Sequence, residues 1–148
     1  SLPPAALAAE PWDVPFADDT DAILAAAKAI GGQGRAGGFP LLVESAFFVD
    51  EDRLVSSSTR VSSLILDREG VREFGSIGAS WAPWYQNEAH VQARVIKSDG
   101  SVSELDPTTL MQRRIGGDVD MYWDRQMLEG PLPGIEAGSV VETLVTDP

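Results

Sequence analysis

The feature that most constrains this fold is a two-residue hydrophobic period that runs through most of the chain after residue 38 and is broken by short polar turns. The clearest run is 89–97, where Val91, Ala93 and Val95 alternate with polar residues. Successive side chains of a β-strand point to opposite faces, so this alternation indicates strands with one buried face. Strands and turns at this spacing, with few helices, predict an all-β antiparallel sandwich.

The turn after this strand allows a register to be predicted. Asp99-Gly100 is a hairpin signal between two apolar runs. A three-residue loop with Gly100 in the left-handed conformation would place Arg94 opposite Glu104 and Ile96 opposite Val102, whereas a two-residue loop would place charged residues opposite apolar ones. Matched cross-strand pairs each stabilise a sheet by roughly 0.2–1 kcal/mol. We therefore predict the three-residue loop.

Five further segments receive an assignment from their local sequence, and one of the five stays ambiguous. We expect residues 67–70 to form a turn and residues 71–81 to be extended. Residues 106–118 are ambiguous: a helical turn could open at Pro107, and Gly116-Gly117 ends whatever element forms there. Residues 121–128 and 140–145 are predicted as strands, the second because it is apolar and β-branched.

The first 38 residues are organised differently. Four prolines interrupt the first 15 residues. Acidic and capping residues before position 22 and Gly31-Gly32 behind predict a short helix at about 20–30. Five glycines within 31–38 indicate a linker. We expect a proline- and glycine-rich lead-in over 1–38 and a β-sandwich domain over 39–148.

Composition excludes several classes of function. The net charge is −12, from 23 carboxylates against 11 Lys and Arg, and no basic cluster is present, so nucleic acid and anionic membrane surfaces are poor partners. No apolar run approaches the ~20 residues of a membrane-spanning helix, so we expect no membrane insertion. The absence of cysteine rules out disulfides, zinc–thiolate sites and a cysteine nucleophile within these residues.

The polar residues suggest no catalytic or metal site. His90 is the single histidine, and an exposed side chain on the polar face of a strand explains it better than a catalytic role. The acidic runs 50–52 and 118–120 lack the spacing of an EF-hand loop, so solvated turns explain them better than a calcium site. We assign no catalytic residue, no metal and no cofactor.

Aromatic residues give the one candidate binding site: Trp81, Trp84, Tyr85 and Trp123. Flat rings on a proline-rigidified turn could stack on a sugar or a peptide, and loops at the ends of sandwiches often carry recognition. The competing interpretation is that these rings fill the core or a domain contact.

Several segments together resemble one domain family. They include Ala93-Arg94-Val95-Ile96, Asp99-Gly100-Ser101 and the run from Leu132-Pro133-Gly134 to Val141. In order and spacing, from about residue 39 to residue 146, they resemble DUF3857, a bacterial domain that usually precedes a transglutaminase-like domain. The resemblance implies an immunoglobulin-like β-sandwich in exported or envelope-associated proteins. The family pattern continues past Pro148, so we expect the sandwich to be incomplete at its C-terminal end.

The resemblance also implies a role. We expect a non-catalytic accessory module that positions substrate or packs against a downstream transglutaminase-like domain of the same polypeptide, outside the cytoplasm, with peptide or glycan as ligand. Two alternatives stay open. One is a carboxylate-based hydrolase that uses Asp118, Asp120 and Glu104, and the other is a structural domain of an envelope assembly.

Overall fold

Two antiparallel sheets pack against each other. The computed structural model describes residues 19–30, 36–49, 51–52, 55–116 and 124–147. The elements are α1 (Thr20–Ile30), β1 (Gly38–Val49), β2 (Val55–Ile65), α2 (Arg68–Glu73), β3 (Ser76–Trp81), β4 (His90–Ile96), β5 (Val102–Glu104), a 3-10 turn (Pro107–Thr109), β6 (Met111–Ile115), β7 (Arg125–Pro131) and β8 (Val140–Asp147). The larger sheet has the order β1-β2-β8-β4-β5 and the smaller sheet β3-β7-β6. All strand pairs are antiparallel. The predicted antiparallel sandwich with a short N-terminal helix is confirmed.

The core lies between the sheets and follows the two-residue period. Val91 and Val95 of β4 and Val141 of β8 pack in one cluster with Ile77 and Trp81 of β3. We call the face of the larger sheet that carries these residues its inner face and the opposite face its outer face. The alternation in β4 therefore selects the side chains that point toward the smaller sheet.

Helix α1 covers part of the outer face. Its apolar residues Leu24 and Ala27 are buried against Leu64, Ile96 and Val140. These three sheet residues belong to neighbouring strands and lie side by side, since Leu64 pairs with Val140 and Val140 with Ile96. The helix therefore packs on the same sheet that forms the sandwich.

The hairpin between β4 and β5 has the predicted register. Arg94 lies opposite Glu104 and Ile96 opposite Val102. Gly100 has φ +90°, in the left-handed region that favours glycine, and its N–H donates to the carbonyl of Lys97 at 2.9 Å. The three-residue loop is therefore confirmed.

Helix α2 was not predicted, because its sequence indicates a turn followed by extended chain. Asp67 caps this helix, with Oδ1 accepting from the N–H of Gly70 at 3.0 Å and Oδ2 from the N–H of Gly37 at 3.1 Å. One carboxylate thus joins the start of α2 to the chain just before β1.

Strand β6 was also not predicted. The 3-10 turn that precedes it agrees with the helical turn that the sequence allows at Pro107.

Replacing Asp67 with alanine should destabilise the fold in a pH-dependent way. The N–H groups of Gly70 and Gly37 lower the pKa of Asp67 below its ordinary value of 3.8. A carboxyl with a depressed folded-state pKa stabilises the fold above its unfolded pKa and loses that contribution as pH falls through the folded pKa. Thermal melts should show a lower midpoint for Asp67→Ala at neutral pH, and the difference from wild type should shrink as the pH falls below 3.8. Glu69→Ala, on the same helix, is the control, and a difference that does not shrink in acid would contradict this role.

Candidate functional site

The turn between β3 and β4 is closed by hydrogen bonds around one alanine. The carbonyl of Ala82 accepts from the N–H groups of Tyr85 at 3.1 Å and Gln86 at 2.8 Å. The Ala82 N–H donates to Oε1 of Gln86 at 2.8 Å. Because Pro83 also has a restricted φ, the chain between Ala82 and Gln86 is held in one conformation.

This turn presents two aromatic rings to solvent. Trp84 is 68% exposed and Tyr85 is 60% exposed. Their ring centroids are 4.1 Å apart, and the planes meet at 61° in an edge-to-face arrangement. The two rings support each other and leave faces open to solvent, as a stacking site for a sugar or a peptide requires. We call Trp84 and Tyr85 the aromatic pair.

The other two members of the predicted site are placed differently. Trp81 is only 3% exposed and belongs to the core between the sheets. It ends β3 on the inward-pointing side of the strand, so its indole packs on the larger sheet and is not available to a ligand. Trp123 lies outside the described residues. The structure therefore places Trp84 beside Tyr85 on the exposed turn and places Trp81 in the core.

Alanine substitutions should separate these two roles. Trp81→Ala removes a fully packed indole and should cost about 3–5 kcal/mol of unfolding free energy. Trp84→Ala removes an exposed ring and should change the unfolding free energy by less than about 0.5 kcal/mol. Urea denaturation of the two variants measures both values, and equal losses would contradict the assignment of Trp81 to the core and Trp84 to the surface.

A buried cluster of polar side chains lies on the outer face of the larger sheet. Glu142 of β8 has no exposed surface, and Arg94 of β4 is also buried. The Nε of Arg94 donates to Oε2 of Glu142, and Oγ of Ser62 donates to Oε1 at 3.2 Å. The three residues come from adjacent strands in register. We call them the Glu142 cluster.

Sequence reasoning missed this cluster because it assigned Arg94 to Glu104. The register prediction is correct, but Glu104 is exposed, and Arg94 forms a buried ion pair with Glu142 that the hairpin register does not predict. A signal existed in the sequence, since Glu142 is the one charged residue within the apolar run 140–145. A carboxylate in a strand buried on both faces requires a cation or donors beside it.

Removing one partner of this pair should be costly. Glu142→Ala leaves the Arg94 guanidinium buried without its carboxylate and should cost about 3–5 kcal/mol of unfolding free energy. The double variant Arg94→Met with Glu142→Leu removes both charges and should recover most of that loss, because apolar replacement of a complete buried pair is often nearly neutral. Equilibrium urea unfolding measures the cycle. A single-variant cost below about 1 kcal/mol would show that the carboxylate is not needed.

The remaining charged candidates do not converge in the described part of the chain. His90 is exposed at the start of β4, on the outer face opposite Thr146. Asp118 and Asp120 lie outside the described residues, and Glu104 is exposed on β5. Among the described residues, no group of three or more His, Cys, Asp or Glu side chains is placed to hold a metal ion.

Neither of the described helices combines the length and apolar character needed to cross a bilayer.

The comparisons with known proteins agree with the fold. The family model described as "Domain of Unknown Function with solved-structure structure (DUF3857)" matches residues 51–147. The chain belongs to this family. The match begins at the turn after β1 and includes the aromatic pair and the Glu142 cluster. No curated protein shows significant similarity to the chain.

One solved structure shares the fold of this DUF3857 chain. It is the crystal structure of "a putative protease" from Parabacteroides distasonis, with a TM-score of 0.65 and 12% sequence identity. The similarity covers 77% of this chain and 24% of that chain. At this identity the likeness concerns the fold alone, and the chain spans about a quarter of the length of the protein it matches.

Proposed function

We propose that this DUF3857 domain is a non-catalytic accessory module that positions a peptide or a glycan for a larger exported bacterial protein. The observation that carries the proposal is the aromatic pair, two adjacent exposed rings on a turn that hydrogen bonds hold in one conformation. Exposed aromatic rings on a fixed turn suit weak recognition, because stacking needs flat surfaces rather than reactive groups.

The charge of the chain narrows the class of ligand. With 23 carboxylates against 11 basic residues, the chain repels anionic ligands at long range. Neutral oligosaccharides and uncharged or basic peptides are therefore the ligands that fit best. Each ring would contribute roughly 0.5–1.5 kcal/mol, so affinity from this pair is weak, as suits a module that increases the local concentration of substrate.

The proposal includes a larger polypeptide, of which this domain is one part. The family usually precedes a transglutaminase-like domain, and the matched bacterial structure is about four times as long as the part that resembles this chain. A transglutaminase-like domain of the same polypeptide would then supply the nucleophile, since this chain contains no cysteine. Positioning substrate for such a neighbour requires an exposed site and no chemistry of its own.

Calorimetric titration tests the binding role. We expect weak, saturable binding of cellotetraose, chitotetraose or an uncharged aromatic peptide to the wild-type chain. Trp84→Ala and Tyr85→Ala should each weaken that binding by about fivefold, the change that ~1 kcal/mol of lost stacking produces.

A distant exposed apolar residue provides the matched control. Met111 is 73% exposed on β6, so Met111→Ala removes a comparable surface side chain outside the turn and should leave affinity unchanged. Tryptophan fluorescence of the Tyr85→Ala variant, which keeps Trp84, gives an independent readout. Absence of binding by all three probes, or binding that Trp84→Ala does not weaken, would refute the proposed role of the pair.

A further inference from the structure

The smaller sheet covers only part of the inner face of the larger sheet. A short connection, residues 105–110, joins β5 to β6, so these two edge strands lie on the same side of the sandwich. Strand β3, at the opposite edge of the smaller sheet, packs on β4 and β8. The inner face of β2 and β1 therefore continues beyond β3.

Exposure to solvent rises along one row of side chains on this inner face. Ala93 of β4 pairs with Thr143 of β8. Thr143 in turn pairs with Val61 of β2, and Val61 with Val43 of β1. Ala93 is 3% exposed, the two middle residues are half-buried, and Val43 is 61% exposed. Phe47, on the same face of β1, is 72% exposed, and we call this inner surface of β1 and β2 the open floor.

Strand β3 directs backbone groups toward the space above the open floor. The N–H of Leu132 donates to the carbonyl of Gly75 at 2.9 Å, so that carbonyl faces β7. The next residue, Ser76, pairs with Pro131, which has no N–H to donate. Because the backbone groups of an antiparallel strand alternate between its two edges, Ser76 and Gly78 direct their N–H and C=O groups away from β7. In the described part of the chain, no strand pairs with that edge of β3.

Carboxylates surround the end of the open floor at which β3 finishes. Asp147 of β8 lies on the inner face there, opposite Ser57. Glu88 is exposed in the turn between β3 and β4, and Glu51 and Asp52 are exposed in the turn between β1 and β2. A ligand that reaches this end meets negative charge, so a basic residue fits there better than an acidic one.

We propose that the ligand of this domain is an extended basic peptide that pairs with the open edge of β3 and lies over the open floor. An added strand would lie about 4.8 Å beyond β3 and about 10 Å above the larger sheet, the spacings at which strands pair and sheets pack. Its main chain would bond to Ser76 and Gly78, and every second side chain would point to the floor. This inference rests on the proposed function and narrows its ligand to peptides, because a glycan lacks the alternating N–H and C=O groups of a strand.

The aromatic pair lies just beyond the end of the same edge. Strand β3 ends at Trp81, and Trp84 follows three residues later on the turn. A peptide longer than the six residues of β3 therefore continues from the edge toward these rings. The open edge would fix the conformation of the peptide, and the aromatic pair would add stacking at one end.

Backbone methylation of a synthetic peptide tests the pairing without any change to the protein. The probe is the acetylated and amidated octapeptide Lys-Thr-Val-Thr-Val-Thr-Val-Lys, which alternates small polar and apolar side chains between basic ends. In a paired strand only every second N–H faces β3. N-methylation of one alternate set, threonines or valines, should weaken calorimetric binding by about tenfold or more, because it removes hydrogen bonds to the edge. Methylation of the other set should change affinity by less than about twofold, and equal weakening by the two sets would overturn the proposal.

Substitutions at two neighbouring phenylalanines test the contact with the open floor. Phe47→Ser removes apolar surface from the floor and should weaken binding of the octapeptide by about threefold or more. Phe48→Ser is the matched control, since Phe48 points to the outer face opposite Ser56, and it should leave affinity unchanged. Equal affinities of the two variants would contradict a peptide that lies over the floor.

The charge of the peptide provides a further readout. Replacing both lysines of the octapeptide with glutamate should weaken binding by about fivefold or more at an ionic strength of about 0.01 M, where charges are little screened. Equal binding of the two peptides would contradict the proposed preference for a basic ligand.

The results distinguish this inference from the proposed function. Binding of cellotetraose that Trp84→Ala weakens, without binding of the octapeptide, would overturn the peptide inference and leave the proposed function intact. Octapeptide binding that depends on the methylated set, but that Trp84→Ala does not change, would support strand pairing with β3 and exclude the aromatic pair from the site.

Discussion

The larger sheet depends on the pairing of β8 with two strands at once. On one side β8 pairs with β2 and on the other with β4, so it joins the β1–β2 hairpin to the β4–β5 hairpin. An isolated hairpin is marginally stable in water, and three or more strands with a buried face are needed for independent stability. The pairing of β8 with β2 spans about half of the chain in sequence, so the sheet depends on long-range contacts that local propensity does not supply.

The Glu142 cluster lies at the centre of this pairing and constrains its register. A one-residue slip of β8 would turn Glu142 toward the inner face, into the cluster that holds Val95 and Val141. It would also separate the carboxylate from Arg94 and Ser62. The desolvation of the pair offsets much of its attraction, so its effect is greater on which register forms than on overall stability.

The two sheets differ in width, and this difference determines what the sandwich exposes. Five strands face three, and the apolar inner face extends to the tip of the β1–β2 hairpin. The turn from β3 to β4 presents the aromatic pair to solvent, while Trp81, three residues before Trp84, fills the core. Tryptophan therefore fills the core at position 81 and is exposed to solvent at position 84.

Much of the fold follows from the sequence, because the two-residue period depends only on strand geometry. The period predicted the strands that pair in the larger sheet, the turn residues and cross-strand pairs predicted the register of Arg94 with Glu104, and capping signals predicted α1. Helix α2 was missed because residues 67–70 indicate a turn, and the hydrogen bond that Asp67 accepts from Gly37, a residue 30 positions away, cannot be recognised from the local sequence. Tertiary structure alone decided that Arg94 pairs with Glu142, since only the pairing of β8 with β4 brings them together, and that Trp84 and Tyr85 are exposed while Trp81 is buried. A pattern of residue types records how each side chain alternates along its own strand, but burial and ion pairing depend on which other strand lies against it.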